Sequence, residues 1–582
     1  MSTESATHRH GHGAHDHDLP AMPTEVDIFD TTLRDGSQQE GLSLTVDDKL
    51  RVAEQLDHLG VAFIEGGWPG ANPKDEEFFA RAPAELHLST ATLVAFGSTR
   101  RPGVRAEDDE VLRHLVKAGT EAVCIVAKAS EMHVTDALRT SLDEAVAMAA
   151  ESVDFLRRND LRVFFDAEHF FDGYLANPEF SMRVLRAAEE AGVETLVLCD
   201  TNGGTLPHDV ERIVAEVVGS FESQVGVHFH NDSGCAVANS LAAVRVGASH
   251  VQGCVNGYGE RTGNADLAAA IPNLSLKLHI RTIPADRMER LTPVAHHIAE
   301  LVNLAPNPQQ PYVGAAAFAH KAGLHTSAIA RRRDAYEHIA PDLVGNGTRF
   351  VVSEMAGRST LALKAAELGL TLDSDAVTSV LDSLKVLEHR GYHFEVADGS
   401  LDLLLRRATG WEAGFFELES YRVISEGASG SSGRAGAGTD GVGDVGSGEN
   451  SGGSSRVAGV DALGEATEAT VKVRIGDQRV VATSEGNGPV NALDGALRQA
   501  IGSHYPALAG LHLVDYRVRV LDTDRGTGAV TRVLIDTSDG EKTWTTIGVS
   551  ENIIEASWQA LFDSIVYGLL HAGVQPEDGL LA

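Results

Sequence analysis

Cysteine is scarce in this chain. There are four in 582 residues (Cys124, Cys199, Cys235 and Cys254), scattered and without CxxC spacing. That excludes a disulfide framework or a zinc ribbon and fits reduced thiols in a reducing compartment. Positive charge is also in deficit, with 48 basic against 83 acidic residues and a formal net charge of −35. Binding to phosphate backbones or anionic lipid needs a net basic surface, so nucleic acid and membrane are disfavoured as partners. The chain has no apolar run of 18 residues and no charged-then-apolar leader, and the expectation is a soluble, cytoplasmic protein. The rest of the composition, 43% apolar and 23% charged, is that of a globular protein. At roughly 150 residues per domain the length suits three or four domains, although an α/β barrel uses about 250 in one. The acidic surplus raises one question: an anionic substrate is repelled unless its site is locally positive.

Two segments cannot build a core. Residues 1–24 carry His8, His10, His12, His15 and His17 among Gly, Asp and Ala; they read as a solvated tail with loose metal affinity as the alternative. Residues 427–459 hold 12 glycines and 7 serines and read as a flexible linker or loop.

Between residues 25 and 280 a short apolar run alternates with a helical pattern eight times. The predicted strands are Val26–Thr32, Ala62–Glu65, Ser89–Phe96, Ala122–Ala127, Arg162–Ala167, Thr195–Cys199, Gln224–Phe229 and His250–Val255. Helix signals lie between them. Thr45 with Asp48 resembles a capping box, and Gly60 can close that helix in the left-handed conformation. Ser141 with Glu144 starts another helix, and Asn177-Pro178 a third. Eight β-α units of this total length predict a (β/α)8 TIM barrel, with a doubly wound open sheet as the alternative.

Barrel chemistry sits at the C-terminal ends of the strands. Polar residues cluster there after six of the eight predicted strands: Asp30 to Gly36, Glu65 to Gly67, Asp166 to His169, Asp200 to Asn202, His228 to Asp232 and Asn256 to Asn264. The sharpest signal is His228-x-His230. Residues i and i+2 of a strand share a face, and two imidazoles on one face can hold a transition metal. In a chain with 25 histidines a lone HxH carries little weight. Its place after strand 7, with Arg34-Asp35 after strand 1, carries more, because Asp35 adds a carboxylate ligand. The glycines at 257, 259 and 263 do not give a dinucleotide fingerprint; the loop fits a role around a substrate or phosphate better.

The segments FDTTLRDGSQ (29–38), CDTNGG (199–204), HFHND (228–232) and NGYGERTGN (256–264) together resemble the metal-dependent Claisen-condensing synthases, the family that makes 2-isopropylmalate, homocitrate and citramalate. IEGGWPGANPKDEEFF (64–79), DAEHFFDGY (166–174), AFAHKAGLHTSAI (317–329) and YEHIAPDLVGN (336–346) resemble its long, regulated, citramalate-forming members. SEGNGPVNALDGALR (484–498) and WTTIGVSENIIEASWQAL (544–561) point the same way. The resemblance implies condensation of acetyl-CoA with pyruvate and thioester hydrolysis, on the way to isoleucine. It implies a divalent metal (Mn, Mg or Zn) held by Asp35, His228, His230 and Asn264. It implies Arg34 beside the keto oxygen, Thr201 on the 2-oxo acid carboxylate, Glu168 as a catalytic carboxylate, His325 as base toward the acetyl group, and Tyr336 assisting it. Each residue has a plainer reading: His325 as a packing histidine, Glu168 as a partner that orients a ligand, Asn264 as a helix cap. Lys321 and Arg331 to Arg333 could hold CoA phosphates or form a solvated basic face. Two positions depart from relatives: Ser327 where some carry an acid, and Asp166 where some carry an aromatic residue.

Residues 281–410 read as a helical connector, with Val294–Leu301, Leu361–Leu368 and Ala376–Leu387 at helical spacing. Residues 411–582 read as an α+β module, with strands Phe415–Ile424, Ala469–Ile475, Tyr516–Leu521 and Val530–Asp536 and helices Asn491–Ile501 and Glu551–Leu570. The module resembles the family's feedback-sensing domain, which implies an isoleucine effector and a homodimer. Three rival readings stand beside this one: a synthase using another 2-oxo acid, an acyl-CoA lyase, and a non-catalytic amino-acid sensor. The lyases carry a CPYA-type loop where this chain has GCVNGYGERTGN.

Overall fold

The computed structural model describes residues 20–321, 323–352, 357–426 and 466–576. The five tail histidines and the Gly/Ser tract lie outside the described residues. The chain forms two compact units, the first reaching Ala319 and including Arg333–Arg349, the second made of His320–Arg332 and the chain from Phe350 onward.

In the first unit eight parallel strands pair in chain order: β1 (Asp27–Asp30), β2 (Phe63–Gly67), β3 (Thr92–Ser98), β4 (Ala122–Lys128), β5 (Arg162–Glu168), β6 (Thr195–Asp200), β7 (Gln224–Phe229) and β8 (His250–Gly253). β8 pairs back onto β1, from Asp27↔His250 to Asp30↔Gly253, so the sheet is a closed barrel and the open-sheet alternative falls. The helix Val46–Leu59 starts on a full capping box, Thr45 Oγ1 accepting from Asp48 N at 3.1 Å and Asp48 Oδ2 accepting from Thr45 N at 2.9 Å. It ends at Gly60 with φ +94°, where a Cβ would also lie 2.6 Å from Pro284. Ser141 and Asn177 cap their helices as the sequence predicts.

All the barrel strands but β7 differ from their predicted limits, by one to three residues, and two of the differences have a clear cause. β3 begins at Thr92 because the amides of Ser89, Thr90 and Ala91 all donate to the Asp57 carboxylate, at 2.7–3.0 Å, leaving none for the sheet. β8 stops at Gly253: the Val255 amide is taken by Asp30 Oδ2 (3.2 Å) and Thr32 Oγ1 (3.1 Å). Inside the barrel Phe29, Phe63, Val94, Phe96, Ala122, Cys124 and Phe164 form one buried cluster. His250 stacks on Phe164 with ring centroids 5.4 Å apart.

The second unit holds the helices Arg358–Glu367, Ser374–His389 and Asp398–Ala408. It also holds two antiparallel three-stranded sheets. One is Glu417–Glu426, Ala466–Ile475 and Gln478–Gly486, covered by the helix Pro489–Ile501. The other is His512–Val520, Thr531–Ser538 and Thr543–Ser550, covered by Ile553–His571. The repeated β-β-β-α unit needs two strands, Gln478–Gly486 and Thr543–Ser550, that the sequence pattern does not predict. The first is mostly exposed and lacks an apolar alternation. No helix among the described residues is long and apolar enough to cross a membrane.

Candidate active site at the barrel mouth

Strand ends β1 and β7 bring three ligand-capable side chains together. Asp35 Oδ2 lies 3.2 Å from His228 Nε2 and 3.8 Å from His230 Nε2, and the two ring nitrogens are 3.4 Å apart. All three residues are buried. Burial works against the Asp35 carboxylate, but Arg34 and His228 outweigh it and hold its pKa well below the usual range. His230 is pushed down to about 4, first by burial and then by His228, so its imidazole is neutral.

A relay beneath this group sets the His228 tautomer. Gln252 Nε2 donates to Asp166 Oδ1 at 3.0 Å, so its carbonyl faces His228 Nδ1 at 2.9 Å. Nδ1 therefore carries hydrogen, and Nε2 faces Asp35 and His230; burial opposes charge on His228, but Asp35 outweighs it and raises its pKa, so a proton on Nε2 is shared with Asp35 unless a cation takes its place. Only a proton or a cation can sit among three such acceptors. Asn264 is held beside His230 by a backbone bridge; its Nδ2 donates to Tyr258 O at 2.9 Å, while its buried Oδ1 has no hydrogen bond. The glycines of this loop serve close packing around Asn264: a Cβ at Gly259 would lie 2.2 Å from Asn264 Nδ2, and one at Gly263 would lie 1.9 Å from Gly257 O.

Arg34 stands at the edge of the group. Its Nε donates to Glu65 Oε2 at 2.5 Å, its Nη1 lies 3.2 Å from Asp35 Oδ2, and its guanidinium sits 3.9 Å over the Phe96 ring. Burial opposes its charge, but Glu65, Asp35 and Asp166 raise its pKa further. The Thr201 Oγ1 accepts from His169 N at 2.9 Å, which leaves its hydroxyl hydrogen to donate. Glu168 is ion-paired with Lys128.

Arg34, Asp35, Glu168, Thr201, His228 and His230 all line one cavity of about 210 Å³, together with Trp68, Phe96, Val126 and Asp166. Four carboxylates (Asp35, Asp166, Glu168, Glu260) and two guanidiniums (Arg34, Arg261) face it, so an anionic substrate needs a further positive charge there. The donor set of two imidazoles and a carboxylate, with the orphaned Asn264 oxygen beside it, fits a divalent transition ion or zinc. A second group, Glu65, Cys124 and Asp166 on β2, β4 and β5, is also buried.

The other sequence-derived candidates are not among the residues that line this cavity. Tyr336 belongs to the first unit, is 44% exposed and is not among the cavity-lining residues. His325 and Ser327 lie on the helix Gly323–Arg331 of the second unit, both half-buried. Lys321 is ion-paired with Glu395, and Arg331 to Arg333 are exposed. The sequence reading missed Gln252, Lys128, Trp68 and Phe96. Polar residues closing strands β4 and β8 were the available signal for the first two.

Comparison with known proteins agrees with this geometry. Residues 25–292 match the HMGL-like family, 312–391 the homocitrate synthase post-HMGL domain-like family and 455–569 the LeuA allosteric (dimerisation) domain. An (R)-citramalate synthase of Streptomyces coelicolor is 51% identical over 95% of this chain and 98% of its own length. One from Aquifex aeolicus is 46% identical over 96% and 100%. A probable 2-isopropylmalate synthase of Methanopyrus kandleri is more distant, at 35% over 64% of this chain and 71% of its own. A barrel whose mouth gathers an acid-imidazole triad, matched end to end at this level of identity, places the chain in the (R)-citramalate synthase family.

Proposed function

We propose that the barrel mouth condenses acetyl-CoA with pyruvate and hydrolyses the resulting thioester, giving (R)-citramalate and CoA. The observation that carries this reading is the convergence of Asp35, His228 and His230 with Arg34 and Thr201 in one small cavity. Asp35, His228, His230 and Asn264 are the residues that would hold a divalent metal (Mn, Mg or Zn). Such an ion, when bound, polarises a chelated 2-oxo acid and offsets charge growing on its keto oxygen.

The protein's own groups do the rest. Thr201 donates to the pyruvate carboxylate. Arg34, fixed by Glu65 and Phe96, donates to the keto oxygen as it becomes an alkoxide. His325 takes a proton from the acetyl methyl, assisted by Tyr336, and the methyl carbon attacks the keto carbon. Glu168, ion-paired with Lys128, serves as the catalytic carboxylate beside the reacting groups. Water then cleaves the thioester, releasing CoA as its thiol and making the sequence effectively irreversible. The match to the LeuA allosteric (dimerisation) domain supports a feedback effector acting on the second unit and a homodimer, and isoleucine is the proposed effector because citramalate leads to it.

The test is release of free thiol from acetyl-CoA with a panel of 2-oxo acids and Mn, Mg or Zn. Release with pyruvate is expected. Release only with 2-oxoisovalerate overturns the substrate, and no release with any 2-oxo acid overturns the reaction. Isoleucine titration and light scattering check the effector and the dimer.

A further inference from the structure

The cavity has two unlike sides. Its polar groups come from β1, β5, β6 and β7 and from the loop after β8; its apolar surface comes from Trp68, Phe96 and Val126, at the ends of β2, β3 and β4. A 2-oxo acid bound through its carboxylate and keto oxygen on the polar side must turn its remaining substituent toward the apolar one. There Trp68 packs edge-on against Phe96, with ring centroids 5.3 Å apart and planes at 82°. The Arg34 guanidinium covers the Phe96 ring at 3.9 Å, so this ring backs Trp68 and is itself backed by charge.

The backbone that carries Trp68 is also locked. The Trp68 amide donates to Asp75 Oδ2 at 3.0 Å, and Asn72 Nδ2 donates to the same oxygen at 3.0 Å. The Lys49 ammonium is buried, ion-paired with Asp75 and bonded to Gly66 O at 2.9 Å. Gly67 has φ +143°, and a Cβ there would lie 2.7 Å from the Asp75 carboxyl carbon. One at Gly66 would lie 2.5 Å from Phe78. This turn has no room to give.

We infer that Trp68, on a turn fixed by Lys49 and Asp75, is the specificity-determining residue that limits the 2-oxo acid substituent to a methyl group. The inference rests on the proposed condensation. A pocket that excludes one extra methylene discriminates by about 10–200-fold, and removal of the wall should return that factor.

The experiment measures kcat/KM for pyruvate, 2-oxobutyrate and 2-oxoisovalerate in the wild type, Trp68→Phe and Trp68→Ala. The ratio of 2-oxobutyrate to pyruvate should rise at least about 10-fold in Trp68→Ala and by less in Trp68→Phe. If Trp68→Ala fails to fold, Trp68→Phe keeps a ring in the slot and carries the test. An unchanged ratio in the folded variants overturns the inference while leaving the condensation intact. A wild type inactive with every 2-oxo acid overturns the condensation and the inference together.

Discussion

The two ends of one barrel bury titratable side chains on opposite terms. At the C-terminal mouth, Asp35, His228 and His230 are buried against one another beside the half-buried Arg34, with each charge answered by a neighbour. At the N-terminal end, His250 is buried among Phe29, Phe63 and Phe164, and neither ring nitrogen has a hydrogen bond. Burial alone pushes its pKa down to about 3. The mouth pairs its buried charges, whereas the His250 imidazole at the base is buried without a partner for either nitrogen. Substitutions at the mouth should therefore be read as lost binding or turnover, and those at the base as altered stability.

The largest break in that comparison is His228→Ala. It removes one arm of the triad and the group that Gln252 orients, so thiol release should fall by 10²–10³-fold or more, in line with loss of a main electrostatic stabiliser. Added metal should not restore it. Near-normal turnover would remove the metal assignment to the mouth. Next is Gln252→Leu. It is close in volume but cannot hold His228 Nδ1 or satisfy Asp166, both within 3.0 Å of Gln252. Loss of such an outer partner weakens metal affinity by about 10–100-fold. Titration of Mn or Zn into the folded variant reads this without any turnover, and an affinity equal to wild type would show that the relay does not set the tautomer.

The same contrast explains what was legible in the sequence. The strands of the barrel announce themselves because each is a short apolar run between capped helices, and Thr45-Asp48, Ser141 and Asn177 cap as their residue types require. His228-x-His230 and Arg34-Asp35 are legible because their ligand atoms lie near one another in sequence as well as in space. The relay is not: Asp166 and Gln252 are 86 residues apart and meet only because the barrel closes. Trp68 reads as one more apolar residue until the Lys49–Asp75 pair is seen to fix its turn. The early end of β8 escapes for the same reason, since side chains from β1 take the amides that would have extended it. Period and composition report which face is buried; they do not report which distant side chain will claim a given amide or ring nitrogen.

The smallest effect, and the one that sharpens the contrast most, belongs to the base. His250→Leu removes the buried imidazole that Gly226 accommodates, a Cβ there lying 2.6 Å from His250 Cδ2. His250 touches no mouth residue named above, so kcat/KM should stay at the wild-type value. The stability effect follows from the sign of the shift. The folded-state pKa of about 3 lies below the ordinary 6.5, so between those values the unfolded chain binds the extra proton. Stability is fully present above 6.5 and is lost as pH falls through that window, at up to about 1.4 kcal/mol per pH unit. Leucine carries no such proton, and it also relieves the unsatisfied ring nitrogens at neutral pH. Thermal melts at pH 7.5 and pH 5 should therefore show the variant gaining on wild type as pH drops, by roughly 2 kcal/mol between the two. A difference in melting behaviour that does not change with pH would mean that the base tolerates a charged His250, and the two ends of the barrel would no longer be opposites.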